Sequence, residues 1–312
     1  MNDQLSEPGG KVRLYVEAAL AEGARIGAKP AQAHYLLHVM RARAGDRLSL
    51  FNGRDGEWLV RIAEVTKRSC DFICERQARK QEGTPDLWLC FAPIKKTPAD
   101  YVSQKATELG GSVLQPVMTR RTIVSRVNLE RLRANAIEAA EQSDRLTVPE
   151  VRASVSLERL LASWPAERRL LFCDEAGEAP PIAEMLALYP PLQREGRIAQ
   201  QSGEGSGPSD SDDPHPARMF ANALPRASLS APTSPFQGEV SSWAILTGPE
   251  GGFDPAERDV IRKHPLVVPV SLGPRILRAD TAALAALSVW QALCGDWREL
   301  ALPACEPDTT SV

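Results

Sequence analysis

Thr247-Gly-Pro-Glu-Gly-Gly-Phe253 joins a short apolar run, WAILTG (243–248), to a helical pattern that starts near Pro255. Three glycines around a proline and a glutamate let the backbone approach a ligand closely and leave N–H groups free to point inward. An ordinary strand-to-helix turn needs fewer. The segment is not the dinucleotide pattern G-x-G-x-x-G, and no Gly-Lys-Ser/Thr follows to make a phosphate loop. A G-x-S-x-G elbow is also missing, which weakens a serine-hydrolase reading. Further on, Ser271-Leu-Gly-Pro-Arg-Ile-Leu-Arg-Ala-Asp-Thr281 leaves a second strand end and enters a second helix. It carries Arg275, Arg278 and Asp280 to the same edge; read alone it is a helix start capped by Asp280 or Thr281. Two glycine loops on neighbouring strand ends place a small-ligand site at the carboxyl ends of a parallel sheet.

That sheet is legible on both sides of the loops. From Leu87 onward strands and helices alternate, the pattern of parallel strands with crossovers. LWLCFAPI (87–94), SVLQPVM (112–118), LLFCDE (170–175), WAILTG and LVVPVSLG (266–273) read as strands. Pro98–Leu109, Asn128–Ser143 and Ser156–Ala162 read as helices, the first ended by Gly110-Gly111. A last helix, from about Thr281 to Trp297, is apolar nearly all round and therefore buried in a core or a subunit interface. Residues 193–242 are rich in Ser, Pro, Gly and Asp and read as a disordered insertion before WAILTG.

The first eighty residues differ. VRLYVE (12–17), RLSLF (47–51), EWLVRIAEV (57–65) and CDFICERQ (70–77) read as strands, with Asn52-Gly53 as a hairpin signal. A helix over PAQAHYLLHVMRAR opens on Pro30. The sequence therefore divides into a small barrel of about five strands at 1–80 and an α/β body at 84–303, with a hinge over Ala78–Pro85.

Composition bounds the rest. The 312 residues hold 37 Lys+Arg against 40 Asp+Glu, a net charge of −3, with 43% apolar and 25% charged residues. This is a soluble globular balance, and too acidic for a sequence-blind polyanion binder. The segment 1–80 is nonetheless +4 and the remainder −7, so the barrel is the half suited to facing nucleic acid. No apolar run is long enough for a membrane span, and MNDQLSEPGG lacks a signal-peptide pattern, so a cytoplasmic location is expected. The six cysteines read as reduced thiols, and His34 and His38 lack the partners of a metal site, so no metal is expected.

GPEGGF followed by LGPRILRADTAALAAL resembles the signature of the RsmE family, small-subunit ribosomal RNA uracil-N3 methyltransferases of the SPOUT superfamily. The resemblance extends through Lys95-Lys96, Lys105–Gly110, Arg120–Arg126 and Glu141-Gln-Ser-Asp-Arg145. It reaches the N-terminal segment, where HYLLHVMR (34–41) and Gly45-Asp46 through Asn52-Gly53 resemble a PUA-like RNA-binding barrel. The resemblance implies an α/β SPOUT domain with a C-terminal trefoil knot, a homodimer, and methylation of N3 of one uridine in 16S ribosomal RNA of the small subunit. It implies that S-adenosylmethionine is held by Thr247, Gly248, Glu250, Gly251, Gly252, Ser271, Leu272, Gly273, Ile276 and Leu277. Arg278 is then the catalytic candidate, stabilising negative charge on the base or orienting it. Arg13, Arg41 and Arg43 are expected at RNA phosphates, with Glu141 and Arg145 as pocket contacts; an exposed i,i+4 ion pair is the competing reading of those two. The chain departs from the family in having Asp280 where Glu is usual. The competing function classes are an RNA-binding assembly factor that no longer catalyses and a nucleotide-cofactor enzyme. The second expects a G-x-G-x-x-G after the strand at 87–94, where Ala92-Pro-Ile-Lys-Lys96 stands instead.

Overall fold

Alternation of inward and outward side chains builds the N-terminal unit. In the computed structural model, which describes residues 12–66, 69–176, 179–189 and 242–299, five strands form one sheet. They are β1 (Arg13–Tyr15), β2 (Arg25–Gly27), β3 (Arg47–Phe51), β4 (Glu57–Val65) and β5 (Cys70–Arg79), in the order β1-β3-β4-β5-β2. Val12, Leu14, Leu48, Leu50, Val60, Ile62 and Phe72 fill its core, and Cys70 and Cys74 face that core together. Asn52-Gly53 does open the β3–β4 connection, but as a longer loop than a two-residue turn. The Asn52 side chain accepts the N–H groups of Arg54 and Asp55, and Gly53 and Gly56 both take positive φ. Helix α1 is short (Pro30–His34) and continues as a π-turn over Tyr35–Val39. The strand β2 is an addition to the sequence reading, and Ala78 and Arg79, read as hinge, complete β5.

The second sheet is parallel throughout. Its strands are β6 (Leu87–Phe91), β7 (Val113–Met118), β8 (Glu150–Val151), β10 (Arg168–Cys173), β11 (Ser242–Thr247) and β12 (Val267–Val270), in the order β12-β10-β11-β6-β7-β8. A short β9 (Val155–Ser156) also pairs with β7. Near-continuous burial of LWLCF, RLLFC and WAILT reflects a sheet covered on both faces. Helices α2 (Lys96–Glu108), α3 (Leu129–Gln142), α4 (Leu157–Ala162), α5 (Ile182–Ala187), α6 (Pro255–Lys263) and α7 (Ala279–Leu293) supply the covers. Asn128 and Ser156 cap α3 and α4 through their side chains. Asp254 and Glu257 close a capping box on α6, with Pro255 at its first position.

Helix α7 carries the buried Trp290 into the core beside α2, α5 and β11. It begins at Ala279, with Arg278 as an N-cap whose side chain makes no capping bond. The expectation that Asp280 or Thr281 caps this helix is thereby corrected. Asp280 sits in the first turn, where its charge suits the helix dipole, and accepts the Thr281 N–H at 2.7 Å. The segment 193–241 of the expected insertion lies outside the described residues.

At the opposite edge from the glycine loops, Asp86 gathers four donors. Arg168, Ser112, Ser242 and the Trp88 indole N–H all reach its carboxylate. The Arg168 and Arg152 guanidinium groups lie on the Trp88 ring at 3.7 and 4.0 Å from its centroid. Partial burial pushes the Asp86 carboxyl up, but Arg168 and the two serine hydroxyls outweigh it and hold the group below the usual carboxylate range. Such a group stabilises the fold above its unfolded value, about 3.9, and loses that contribution as pH falls through the lower folded value. Asp86→Asn is expected to lower Tm at pH 7, and the difference is expected to shrink as pH falls below the unfolded value and through the lower folded one, measured by calorimetry across the acid range. A difference independent of pH would remove the charge from the explanation.

Candidate functional site

The carboxyl ends of β10, β11 and β12 and the first turn of α7 enclose a cavity of about 630 Å³. Each wall begins where a buried strand runs out of pairing partners and becomes a loop. From β10 come Cys173, Asp174 and Glu175; from β11, Thr247, Gly248, Pro249, Glu250 and Gly252; from β12, the continuous run Ser271–Ala279. The loops after β10 and β12 are tied across: Ser271 donates its N–H to the Pro180 carbonyl at 2.8 Å, and Ile182 donates to the Ser271 carbonyl at 3.0 Å.

Nine of the ten residues expected at the donor line this one cavity, and Arg278 lines it with them. Gly251 does not; it turns outward, its carbonyl accepting from the Arg121 guanidinium at 2.9 Å. Ile276 stands at the rim, 94% exposed.

An ion-pair network centred on one buried carboxylate fixes the glycine loop from behind. Asp174, whose side chain is fully buried, pairs with Arg262 and with Arg258, both on α6. Glu175 accepts the Phe253 N–H at 3.0 Å and an Arg258 N–H at 2.9 Å. Gly252 has φ +66°, and a Cβ there would overlap the Glu175 carboxylate. Gly273 has φ +105° with open space where a side chain would point. Sequence reading passed over Arg258 and Arg262. Their i,i+4 spacing on α6 was the available signal, since it places both cations on one face toward the end of β10.

The charges facing the cavity are arranged by sign. Glu250 lies on one wall and makes no ion pair among the described residues, whereas Arg275 and Arg278 lie on another, exposed. Burial holds the Cys173 thiol protonated, its pKa pushed up to about 12, so it is no nucleophile at neutral pH. The arrangement suits a ligand that has both positive and negative parts, with two exposed guanidinium groups on one wall suited to an electron-rich reactant.

Residues 81–199 and 217–291 match the family described as RNA methyltransferase domain, and residues 29–73 match the RNA methyltransferase PUA domain. The chain belongs to the RNA methyltransferase family. A Rickettsia conorii protein named ribosomal RNA small subunit methyltransferase E is 28% identical over 93% of this chain and 98% of its own. The Bacillus subtilis protein of the same name is 27% identical, over 82% of this chain and 86% of its own. Among solved structures, a Legionella pneumophila protein with bound SAM superposes with a TM-score of 0.68 at 24% identity, covering 91% of this chain and 98% of the other. The Neisseria gonorrhoeae ribosomal RNA small subunit methyltransferase E, bound to S-adenosyl methionine, gives 0.68 at 23% identity, covering 92% of this chain and 99% of the other. These likenesses establish the α/β fold with its N-terminal PUA-like unit.

Within this RNA methyltransferase, three of the expected RNA contacts are structural instead. Arg13 is buried, donating to Glu57 and to the carbonyls of Ala140, Glu141 and Arg145. Strand alternation puts Leu14 on the barrel core and Arg13 on the opposite face, which α3 covers. Glu141 spends its carboxylate on the Tyr15 N–H at 2.8 Å, which also ties α3 to β1. Arg145 donates to the carbonyls of Thr107 and Gly111 and to Thr147; burial lowers its pKa to about 10. Glu141 and Arg145 are therefore engaged within the protein, and among the described residues they do not form the exposed i,i+4 pair. Arg41 and Arg43 remain exposed, and Arg41 takes φ 55°, an uncommon conformation for a side-chain-bearing residue.

Proposed function

We propose that this chain transfers a methyl group from S-adenosylmethionine to N3 of a uridine in 16S ribosomal RNA, acting on the small subunit as a cytoplasmic homodimer. The observation that carries the reading is the single cavity shared by Thr247–Glu250, Gly252 and Ser271–Arg278, in a member of the RNA methyltransferase family. The name of the relatives, ribosomal RNA small subunit methyltransferase E, supports the substrate class. An intact cavity of this kind counts against a non-catalytic assembly factor. The implied trefoil knot belongs to the same proposal, supported by β10 lying between β12 and β11 and by the straps joining their loops. A fully exposed Ile276 at the rim supports a second copy covering that edge.

The residues present fit the methyl donor. The cavity volume lies in the range of cofactor sites, about 300–1,000 Å³. Backbone at Gly248, Gly252 and Gly273 can approach it closely, and Glu250 faces a positive group without a competing cation. When bound, S-adenosylmethionine supplies a methyl group on a positively charged sulfur, open to attack by a nitrogen lone pair. The chain's own part is to hold the reactants and their charges. Uridine N3 carries a proton, which leaves to solvent at the cavity mouth as negative charge spreads to the ring oxygens. Arg278, at the N-cap of α7 with its side chain free of capping bonds, holds that charge and orients the base. Orientation of two bound reactants alone can supply roughly 7–11 kcal/mol of the barrier. N3 lies on the pairing edge, so the nucleotide must reach the site unpaired. Exposed Arg41 and Arg43 then serve flanking phosphates.

Methyl transfer from labelled donor to small subunits of a strain lacking the corresponding enzyme tests the reading, with mass spectrometry to locate the product. One N3-methyluridine is expected. Donor binding without transfer to any RNA would sink the assignment of substrate, and loss of donor binding as well would favour the assembly factor. Gly252→Ala provides a sharper check on the cavity. Its Cβ displaces Glu175 at a positive-φ position, and donor affinity measured by calorimetry is expected to fall at least tenfold, about 1.4 kcal/mol. An unchanged affinity would place the donor elsewhere.

A further inference from the structure

The loop between β7 and α3 is built onto the outer side of the glycine loop, and nothing in the mechanism above uses it. Thr119 and Thr122 close a turn through their hydroxyls at 2.9 Å and through the Thr122 N–H to the Thr119 carbonyl at 3.1 Å. Arg120 donates its backbone N–H to the buried Glu257 at 2.8 Å and pairs with Asp254 at 3.1 Å. Arg121 donates to the Gly251 carbonyl, and its side chain lies within 3.8 Å of where a Gly251 Cβ would stand. The loop is thus braced against the capping box of α6 and against the outer side of the glycine loop at Gly251. Two residues beyond Arg121, no more than about 7 Å along the chain, Ile123 stands 74% exposed. Among the described large apolar side chains only Ile276 is more exposed. Arg121 and Arg126 flank it, both exposed and neither in an ion pair among the described residues.

We propose that Ile123 is a wedge that enters the base stack of the substrate RNA beside the target uridine, a specificity-determining contact that rests on the function proposed above. A base that leaves its stack to present N3 to the cavity leaves a gap, and apolar side chains fill such gaps in bent or opened duplexes. The flanking cations choose the partner. They match phosphates on either side of an inserted side chain. A wedge also has to be rigid, which the bonds to Glu257, Asp254 and Gly251 provide.

The test compares the parent chain with Ile123→Ala and Ile123→Leu on a ribosomal RNA hairpin carrying 2-aminopurine next to the target uridine. Ile123 is 74% exposed, so the substitution removes little packing and folding is expected to be kept. Ile123→Ala is expected to lose the fluorescence rise that reports unstacking and to lower kcat/KM on the hairpin by about tenfold, the scale of a lost stacking contact. Ile123→Leu is expected to restore both, with donor affinity and sedimentation unchanged in every variant. Parent-level fluorescence and kcat/KM in Ile123→Ala would overturn the wedge. So would a change in sedimentation, which would assign Ile123 to contact between copies. Failure of the parent chain to methylate any RNA would overturn the function itself, and the wedge with it.

Discussion

Arg278→Ala is expected to lower kcat for methyl transfer by about 10²–10³, the usual consequence of removing one group aimed at developing charge. The side chain lies at the N-cap of α7, lines the cavity and makes no capping bond. Its removal is therefore expected to leave circular dichroism and Tm at the parent's values. Arg278→Lys keeps the charge but not the planar fork, and an intermediate rate is expected. Single-turnover kinetics with saturating donor separates the chemical step from binding. A parent-like rate in Arg278→Ala would remove the residue from the mechanism, and Arg275, on the same loop, would be next to test.

The second large effect concerns stability. Arg13→Met is expected to cost about 3–5 kcal/mol in denaturant unfolding, the range for breaking a buried pair by removing one partner. Glu57 has a fully buried side chain and would keep only Arg79, itself 42% exposed. The carbonyls of Ala140 and Glu141 at the end of α3, and of Arg145 beyond it, would lose this donor at the same stroke. Combining Arg13→Met with Glu57→Leu should recover much of the loss, since an apolar pair avoids the stranded charge. A loss under 1 kcal/mol in the single variant would mean that water reaches the pair and that the barrel is not anchored through it.

Arg13 also marks where the sequence stops being readable. The site was legible because its chemistry is local: GPEGGF and SLGPRILR each carry their own strand end, glycines and charges. The parallel sheet was legible for the same reason, from five apolar runs in register with helical stretches. Arg13, Glu141 and Arg145 were misread because decisive partners lie far along the chain: the end of α3 for Arg13, β1 for Glu141 and the end of α2 for Arg145. On VRLYVE the alternation assigns Arg13 to the non-core face, and in an isolated barrel that face is solvent. Only the arrival of α3, over a hundred residues later, makes it interior. The strands β8 and β9 are two residues each and too short for any period. The Asp280 cap failed for a subtler reason, as helix α7 starts at Ala279, two residues too early for Asp280 to stand at the N-cap.

The strand order sets a timetable for synthesis. The central strand β11 pairs with β10 on one side and β6 on the other, and Leu89 must wait for Ile245 to leave the ribosome. At about 5–20 residues per second that is on the order of 10–30 s. Through that interval the β11-facing edge of β6 is open, joined by that of β10 once Cys173 has been made, and open edges are where chains aggregate. The N-terminal sheet has no such delay, because its five strands are complete by Arg79. A nascent chain of this protein therefore carries a finished barrel ahead of an unfinished body. Chaperone dependence should be greatest while the stretch before Ser242 is being translated.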